Sequence, residues 1–405
     1  PMDDAVALRW RTRPDNQAEA DVYQDISDQI AASTNLDLSY EPGGSDTSAY
    51  QDVLKTELAS GTAPDVFWIP GTDVADFVTR GLLLDMRDLA EASGHSDADF
   101  YEGPMFHLTF NPDTGNTGEA LWGLPRDVSA FALYMNLDLI SEAGAEDPRD
   151  LDAAGDWNWT TFREVVSDVA AVNDETKGFG SDAWWGPWGY YVNAAGGSMF
   201  NDDRTACALD SDEAIAGLTF ANELWTSGDT INWGEGGEAP FQAGTLGMFM
   251  NGRWATPSIR SGADFNWDVV KLPDGPGGPS NWLFWGADVG IADPADPEAA
   301  WQLVQELTSA QTQAAVSELG ANIPSRQGQE AIDAFLTFTP PANNQAFIDG
   351  ISEAPVAEGP LWAGSWPEFS NVSSTRVNAV IAGEESIESF ADTGCSEINT
   401  AAFSG

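Results

Sequence analysis

Apolar and polar positions alternate along the first third of the chain in a strand-helix rhythm. Val6 to Trp10 reads as a strand that runs into an arginine-rich turn, Arg11-Thr12-Arg13-Pro14. Ala18, Val22, Ile26 and Ile30 then recur at steps of four, one apolar stripe on a polar helix. Leu36 to Tyr40 is the second strand, Tyr50, Val53, Leu54 and Leu58 mark a second helix, and Asp65 to Ile69 is the third strand. Strand, helix, strand, helix, strand with short turns predicts a parallel α/β sheet, which binds ligands at the carboxyl ends of its strands. Arg11, Arg13, Asp46, Trp68 and Asp73 fall on those strand-end loops.

Further on, Phe77 to Leu89 continues as helix and turn. Gly94 to Gly118 is rich in Asp, Gly, Asn and Pro and reads as surface loop or a crossing between lobes. Extended structure resumes at Leu121 to Pro125, Arg126 and Asp127 follow, and Phe131 to Asn136 is a strand. For Arg126 and Asp127 a surface ion pair competes with a ligand-binding role. Trp159 to Val172 is a helix, with a capping-box pattern at Thr161-Phe162-Arg163-Glu164 and a buried face of Phe162, Val165, Val166, Val169 and Val172. Phe200 to Cys207 suggests a hairpin. In Phe241 to Trp254 a short apolar strand ends in the polar-aromatic tip Asn251, Arg253 and Trp254. Trp267 to Leu272 and Phe284 to Ala292 are later strands, the latter carrying Trp285, Gly286 and Asp288. Asp296-Pro297-Glu298 opens a helix with a capping Asp and a first-turn Pro.

One stretch breaks every period. Trp184-Trp185-Gly186-Pro187-Trp188-Gly189-Tyr190-Tyr191 holds five large aromatics interrupted by Gly and Pro, which reads as a rigid loop displaying flat rings. Such rings stack on the C–H face of a pyranose, whereas a satellite core cluster is the competing reading. A later segment, Trp362 to Glu368, is a second aromatic display broken by Gly and Pro.

Composition adds charge to this picture. The 405 residues carry 65 acids against 16 bases, a formal net charge of −49. A surface this negative repels nucleic acid and anionic lipid headgroups, so neither is an expected partner. Dense carboxylates with only three lysines suggest a salt-adapted or GC-rich source. The two histidines, His95 and His107, and two cysteines, Cys207 and Cys395, show no metal-ligand spacing, so neither metal nor another cofactor is expected. The acidic cluster Asp202, Asp203, Asp210, Asp212 and Glu213 lacks the spacing of a calcium hand and reads as a solvated face. The cysteines fit either one disulfide or two separate buried thiols. No apolar run is long enough to span a membrane. The start, Pro1-Met2-Asp3-Asp4, has neither a basic nor an apolar leader region and reads as a processed or recombinant N-terminus, upstream of which any signal peptide or anchoring cysteine would lie.

Six motifs in one order carry a resemblance: "LASGTAPDVFW" with "GLLLDM" downstream, "GLPRDVSAFALYMN", "DWNWTTFREVV", "FQAGTLGMFMNGRW", "ADPADPEAAWQLVQELTSAQTQ" and "GANIPSR". With them the chain resembles the extracellular solute-binding proteins of ABC importers, in the carbohydrate-binding family that includes maltose-binding protein. The resemblance covers about Leu54 to Arg326. It implies an α/β, two-lobed, periplasmic-binding-protein-like fold with a ligand cleft between lobes joined by crossing hinge segments. Residues 1–110 with 262–310 are the expected N-terminal lobe and 111–261 with 311–405 the C-terminal lobe. By similarity, Trp254, Trp285 and the aromatic loop, with Trp185, Trp188 and Tyr190, would stack on sugar rings. Asp73 and Asp127 would accept sugar hydroxyls, Arg126 and Arg253 would donate, and Asp46, Asn251, Gly286, Asp288, Trp366 and Glu368 complete the expected site. Both cysteines fall in the expected second lobe, which favours a disulfide.

The implied protein is a monomer without catalytic residues, extracytoplasmic or lipid-anchored, that closes its lobes on a mono- or oligosaccharide and delivers it to a membrane permease. A glycoside hydrolase is the alternative from another class, since aromatics beside carboxylates also describe such an active site. The same scaffold binding a polyol or another non-sugar solute is the third reading.

Overall fold

The computed structural model describes residues 5–14, 16–353 and 355–404; the start Pro1 to Asp4 lies outside them. Its strands are β1 (Val6–Thr12), β2 (Leu36–Pro42), β3 (Val66–Pro70), β4 (Leu124–Ser129), β5 (Phe131–Asn136), β6 (Lys177–Ser181), β7 (Leu246–Gly252), β8 (Trp267–Val270), β9 (Asn281–Gly290), β10 (Ile323–Pro324) and β11 (Pro355–Ala357). The chain divides into two units. Unit 1 comprises Pro1–Val128, Phe284–Thr337 and Ala357–Pro360; unit 2 comprises Ser129–Leu283, Phe338–Val356 and Leu361–Gly405. These boundaries differ from the expected lobes. Residues 111–128 and 311–337 belong with the first unit, and residues 262–283 with the second. The reason is strand pairing: β10 is hydrogen-bonded to β4, with Pro324 opposite Asp127, while β8 is hydrogen-bonded to β5.

Unit 1 is built on the sheet β10-β4-β9-β3-β1-β2. β1 runs parallel to both β2 and β3, as the strand-helix rhythm requires, and β9 joins antiparallel to β3. The first helix, Gln17–Ser33, is capped by Asn16, whose side chain accepts from Glu19 N. Its buried face is Ala20, Tyr23, Ile26 and Ile30. The expected stripe is therefore rotated at its start, because Tyr23 packs on Trp10 and Tyr40 and takes the place assigned to Val22. Gly94 to Gly118 is less irregular than its composition suggests, since Glu102–Leu108 forms two turns of helix.

Unit 2 holds the sheet β6-β7-β5-β8. β5 and β7 are buried at every position, which is why they read as unbroken apolar runs. The helix Trp159–Ala170 starts at the expected Trp159, but its capping box lies three residues before the Thr161-Glu164 pattern. Asn158 caps it, and Thr161 Oγ1 closes the box by accepting from Asn158 N at 3.1 Å. A bridge between Phe200 and Cys207 marks the expected hairpin. Cys207 and Cys395 form a disulfide, so the bonded alternative holds and the two-thiol one does not. No group of metal-ligating side chains occurs among the described residues, the Asp202 to Glu213 cluster included.

Candidate functional site

In unit 1 the expected site residues gather where β3, β4 and β9 lie side by side. Arg126, on β4, is buried, and its Nε donates to Asp127 Oδ2 at 2.9 Å. Its Nη1 donates to Thr12 Oγ1, and the guanidinium lies 4.9 Å from the Tyr23 ring centroid and 5.2 Å from that of Trp68. Of the two readings of this pair, the surface bridge does not hold, since Arg126 is buried and Asp127 half-buried. Asp288 sits opposite Trp68 in the β3–β9 register and is fully buried. Neither of its carboxylate oxygens has a hydrogen-bond partner among the described residues. Burial raises its pKa to about 7, against the opposing pull of Arg126. Gly286 lies against the Trp68 indole, where a Cβ would collide with the ring, so its part is to admit that side chain.

A second cluster in the same unit surrounds Trp285. The indole stacks on His107 at 13° between planes, and Gly71 passes directly beneath it. Trp285 Nε1 donates to the Glu358 carbonyl at 2.6 Å, and Trp285 N donates to Glu358 Oε2 at 3.2 Å. Asp73, buried at the end of β3, accepts from Gln51 Nε2 at 2.7 Å, and burial lifts its pKa to about 6. Asp46 stands apart from both clusters. It is exposed and caps the helix Thr47–Ser60, accepting from Ala49 N at 2.7 Å.

In unit 2 half-exposed indoles form a row. Trp254 and Trp184 have ring centroids 6.3 Å apart, Trp184 and Trp185 5.2 Å, and Trp185 and Trp366 5.1 Å. Trp282 supports Trp185 edge-on at 5.1 Å, and Trp254 lies against Gly252, where any side chain would displace it. Glu368, in the first turn of the helix Trp366–Ile381, is exposed beside this row.

The aromatic stretch itself departs from expectation. Trp185–Ala194 is a helix, not a displaying loop, so its rings are sorted by helical position. Trp188 and Tyr190 face the core; Tyr190 Oη donates to Pro273 O at 2.5 Å and accepts from Trp159 Nε1 at 3.1 Å. Both side chains are buried inside the unit, and the Tyr190 hydroxyl spends its donor and an acceptor there. Arg253 is likewise buried, with Nη1 donating to Asn344 Oδ1 at 2.5 Å and its backbone N to Ser129 Oγ. Burial lowers its pKa to about 10. Asn251 Oδ1 accepts from Gly252 N at 2.8 Å, which fixes the turn into Trp254. Trp184, Trp282 and Glu358 were missing from the expected site. Trp184 was visible in the Trp-Trp pair, whereas nothing local marks Glu358, which acts through contacts 73 residues away in sequence.

This arrangement supplies indole rings and buried hydrogen-bonding groups, with no metal-holding group of side chains among the described residues. It matches known proteins accordingly. Residues 25–340 match the family model described as bacterial extracellular solute-binding protein, and the chain belongs to that family. Its fold is the two-lobed α/β fold of these proteins, with solved relatives such as an ABC substrate-binding protein of Listeria monocytogenes in complex with cycloalternan. That structure has a TM-score of 0.83 at 19% identity, covering 98% of this chain and 99% of the other. By sequence the chain is 25% identical over 304 residues to an uncharacterized lipoprotein of Streptomyces antibioticus, covering 69% of this chain and 61% of the other. It is 24% identical over 227 residues to a galactooligosaccharide-binding protein of Bacillus subtilis, covering 54% of this chain and 50% of that one.

Proposed function

We propose that this solute-binding protein is the extracytoplasmic substrate-binding component of an ABC importer for a neutral carbohydrate, which it binds and releases without chemistry. The observation that carries the reading is the row of half-exposed indoles Trp254, Trp184, Trp185 and Trp366. Half-buried indoles held in one row match the C–H faces of sugar rings. The relatives support it, one being a galactooligosaccharide-binding protein and another having been solved with cycloalternan. The negative surface favours an uncharged solute over an anionic one. Delivery to a membrane permease completes the proposal, from a cell-surface lipoprotein or a periplasmic protein.

A hydrolase draws on one specific feature, the presence in unit 1 of two buried carboxyls, Asp288 and Glu358, with pKa values raised to about 7 and about 8. Burial accounts for both shifts, so catalysis is not needed to explain them.

The test is intrinsic tryptophan fluorescence during titration with di- and oligosaccharides, polyols and amino acids, with product analysis of each mixture. Saturable change with one glycan class, recovered intact, is the expected result. Replacing Trp254 with Ala should weaken that binding more than tenfold while leaving the fold intact. Response to polyols alone moves the protein to the non-sugar reading, and cleavage moves it to the hydrolases.

A further inference from the structure

Arg253 sits next to Trp254 in the chain, but the two side chains part: Arg253 is fully buried in unit 2, and Trp254 is half-buried in the indole row. The Arg253 guanidinium lies 5.1 Å from the ring centroid of Phe347 and 5.6 Å from that of Phe338, and its Nη1 donates to Asn344 Oδ1 at 2.5 Å. Asn344 belongs to none of the motifs of the sequence and is buried as well. Its Nδ2 donates to the carbonyls of Phe338 and Pro341. One amide thus ties the Trp254 turn to the start of the segment Phe338–Val356. Arg260, in the helix Thr256–Gly262, braces the same start: its guanidinium covers the Phe338 ring at 3.8 Å and donates to Thr339 O.

The indole itself rests on backbone. Gly252 puts no side chain between β7 and the ring, and a Cβ there would strike it, so the ring follows any tilt of the turn. Ser129 Oγ accepts from Arg253 N, and Tyr134 Oη donates to Gly252 O at 2.9 Å, which holds the turn by its backbone. The Arg253 side chain adds an anchor in a different segment of the chain. Burial and the like charge of Arg260 both oppose the charge on this guanidinium. An apolar residue would fill the gap between Phe338 and Phe347 at less cost, but it could not form a directed hydrogen bond to Asn344. We infer that Arg253 and Asn344 are positioning residues: their hydrogen bond fixes the turn from inside unit 2 and thereby sets the orientation of the Trp254 ring for stacking. Without that bond the turn tilts about its remaining backbone bonds, and a small rotation at Arg253 is enlarged at the outer edge of the indole.

The inference rests on Trp254 belonging to the ligand-binding row, so its test is made without any solute and stands even where sugar recognition fails. The near-ultraviolet circular dichroism of each protein is recorded at neutral pH, and the spectrum of its Trp254→Phe counterpart is subtracted to isolate the signal of this ring. Arg253→Met keeps an apolar stem and removes every donor, and Asn344→Leu keeps the volume and removes the acceptor. Each should at least halve the difference signal while the far-ultraviolet spectrum stays that of the wild type. Asn344→Asp is the conservative rescue. It retains an acceptor for Arg253, whose charge keeps the new carboxylate ionised, and gives up both donations to Phe338 and Pro341. Its difference signal should match the wild type. A full signal in Arg253→Met overturns the assignment, because the side chain would then have no hold on the ring. Equal losses in Asn344→Asp and Asn344→Leu overturn it too, by tracing the effect to the carbonyls of Phe338 and Pro341 instead of to Arg253.

Discussion

Replacing Asp288 with Asn should flatten the pH dependence of folding stability in unit 1. Asp288 is fully buried with no hydrogen-bond partner for either oxygen among the described residues, and burial raises its pKa from 3.8 to about 7. A carboxyl that binds its proton more tightly when folded contributes stability fully present below the unfolded pKa. That contribution is lost as pH rises through the folded one. The window is therefore pH 4 to 7, and within it each pH unit removes about 1.4 kcal/mol. Between pH 5 and 6.5 the wild-type protein should lose about 2 kcal/mol relative to Asp288→Asn. Self-repulsion among the other carboxylates also varies with pH, but it is common to both proteins and cancels in the difference. The assay is urea unfolding followed by tryptophan fluorescence at half-unit intervals of pH, in molar salt to screen the surface. The absolute stability of the variant is not the readout, because an amide brings donors of its own into the site. Parallel curves over pH 5 to 6.5 would show that Asp288 does not bind its proton more tightly in the folded protein. They would mean that Arg126, whose pull opposes burial, keeps Asp288 ionised in the folded protein.

Three further outcomes follow from packing and charge. Trp188→Ala empties a fully buried site and should cost roughly 3–5 kcal/mol in urea unfolding, whereas Trp185→Ala, at a half-exposed position, should cost less and act on glycan binding instead. Cys207→Ser removes a cross-link across 188 residues and should lower stability by about 2–5 kcal/mol, an effect that reduction of the wild-type protein reproduces. With 65 acids to 16 bases, the thermal midpoint should climb steeply from low to molar salt; a flat response would show that the carboxylates are not a folding burden.

Much of the scaffold was legible because its signals are local. The βαβ rhythm to Ile69 depends on turn residues and periodicity within short windows, as does the Asp296-Pro297 helix start, whose Asp296 side chain accepts from Ala299 N. The all-buried strands β5 and β7 announce themselves as unbroken apolar runs. Site residues were less legible, for reasons that differ by position. Gly and Pro in the aromatic stretch weaken a helix without forbidding it: Pro187 falls in the first turn, where its missing N–H has no intrahelical partner to lose, and packing supplies the rest. Once the stretch is helical, Trp188 and Tyr190 are turned inward while Trp185 stays half-exposed.

The α/β rhythm, the charge and the aromatic wealth were legible in the sequence, since each is fixed by composition or by neighbours in the chain, and six motifs in one order carried the resemblance to the family. Tertiary structure alone decided which aromatics are exposed, that Arg126 and Arg253 spend their donors inside their units, and that Glu358 holds Trp285. Those outcomes hang on contacts between residues dozens to more than a hundred positions apart, for which neither periodicity nor local propensity carries a signal.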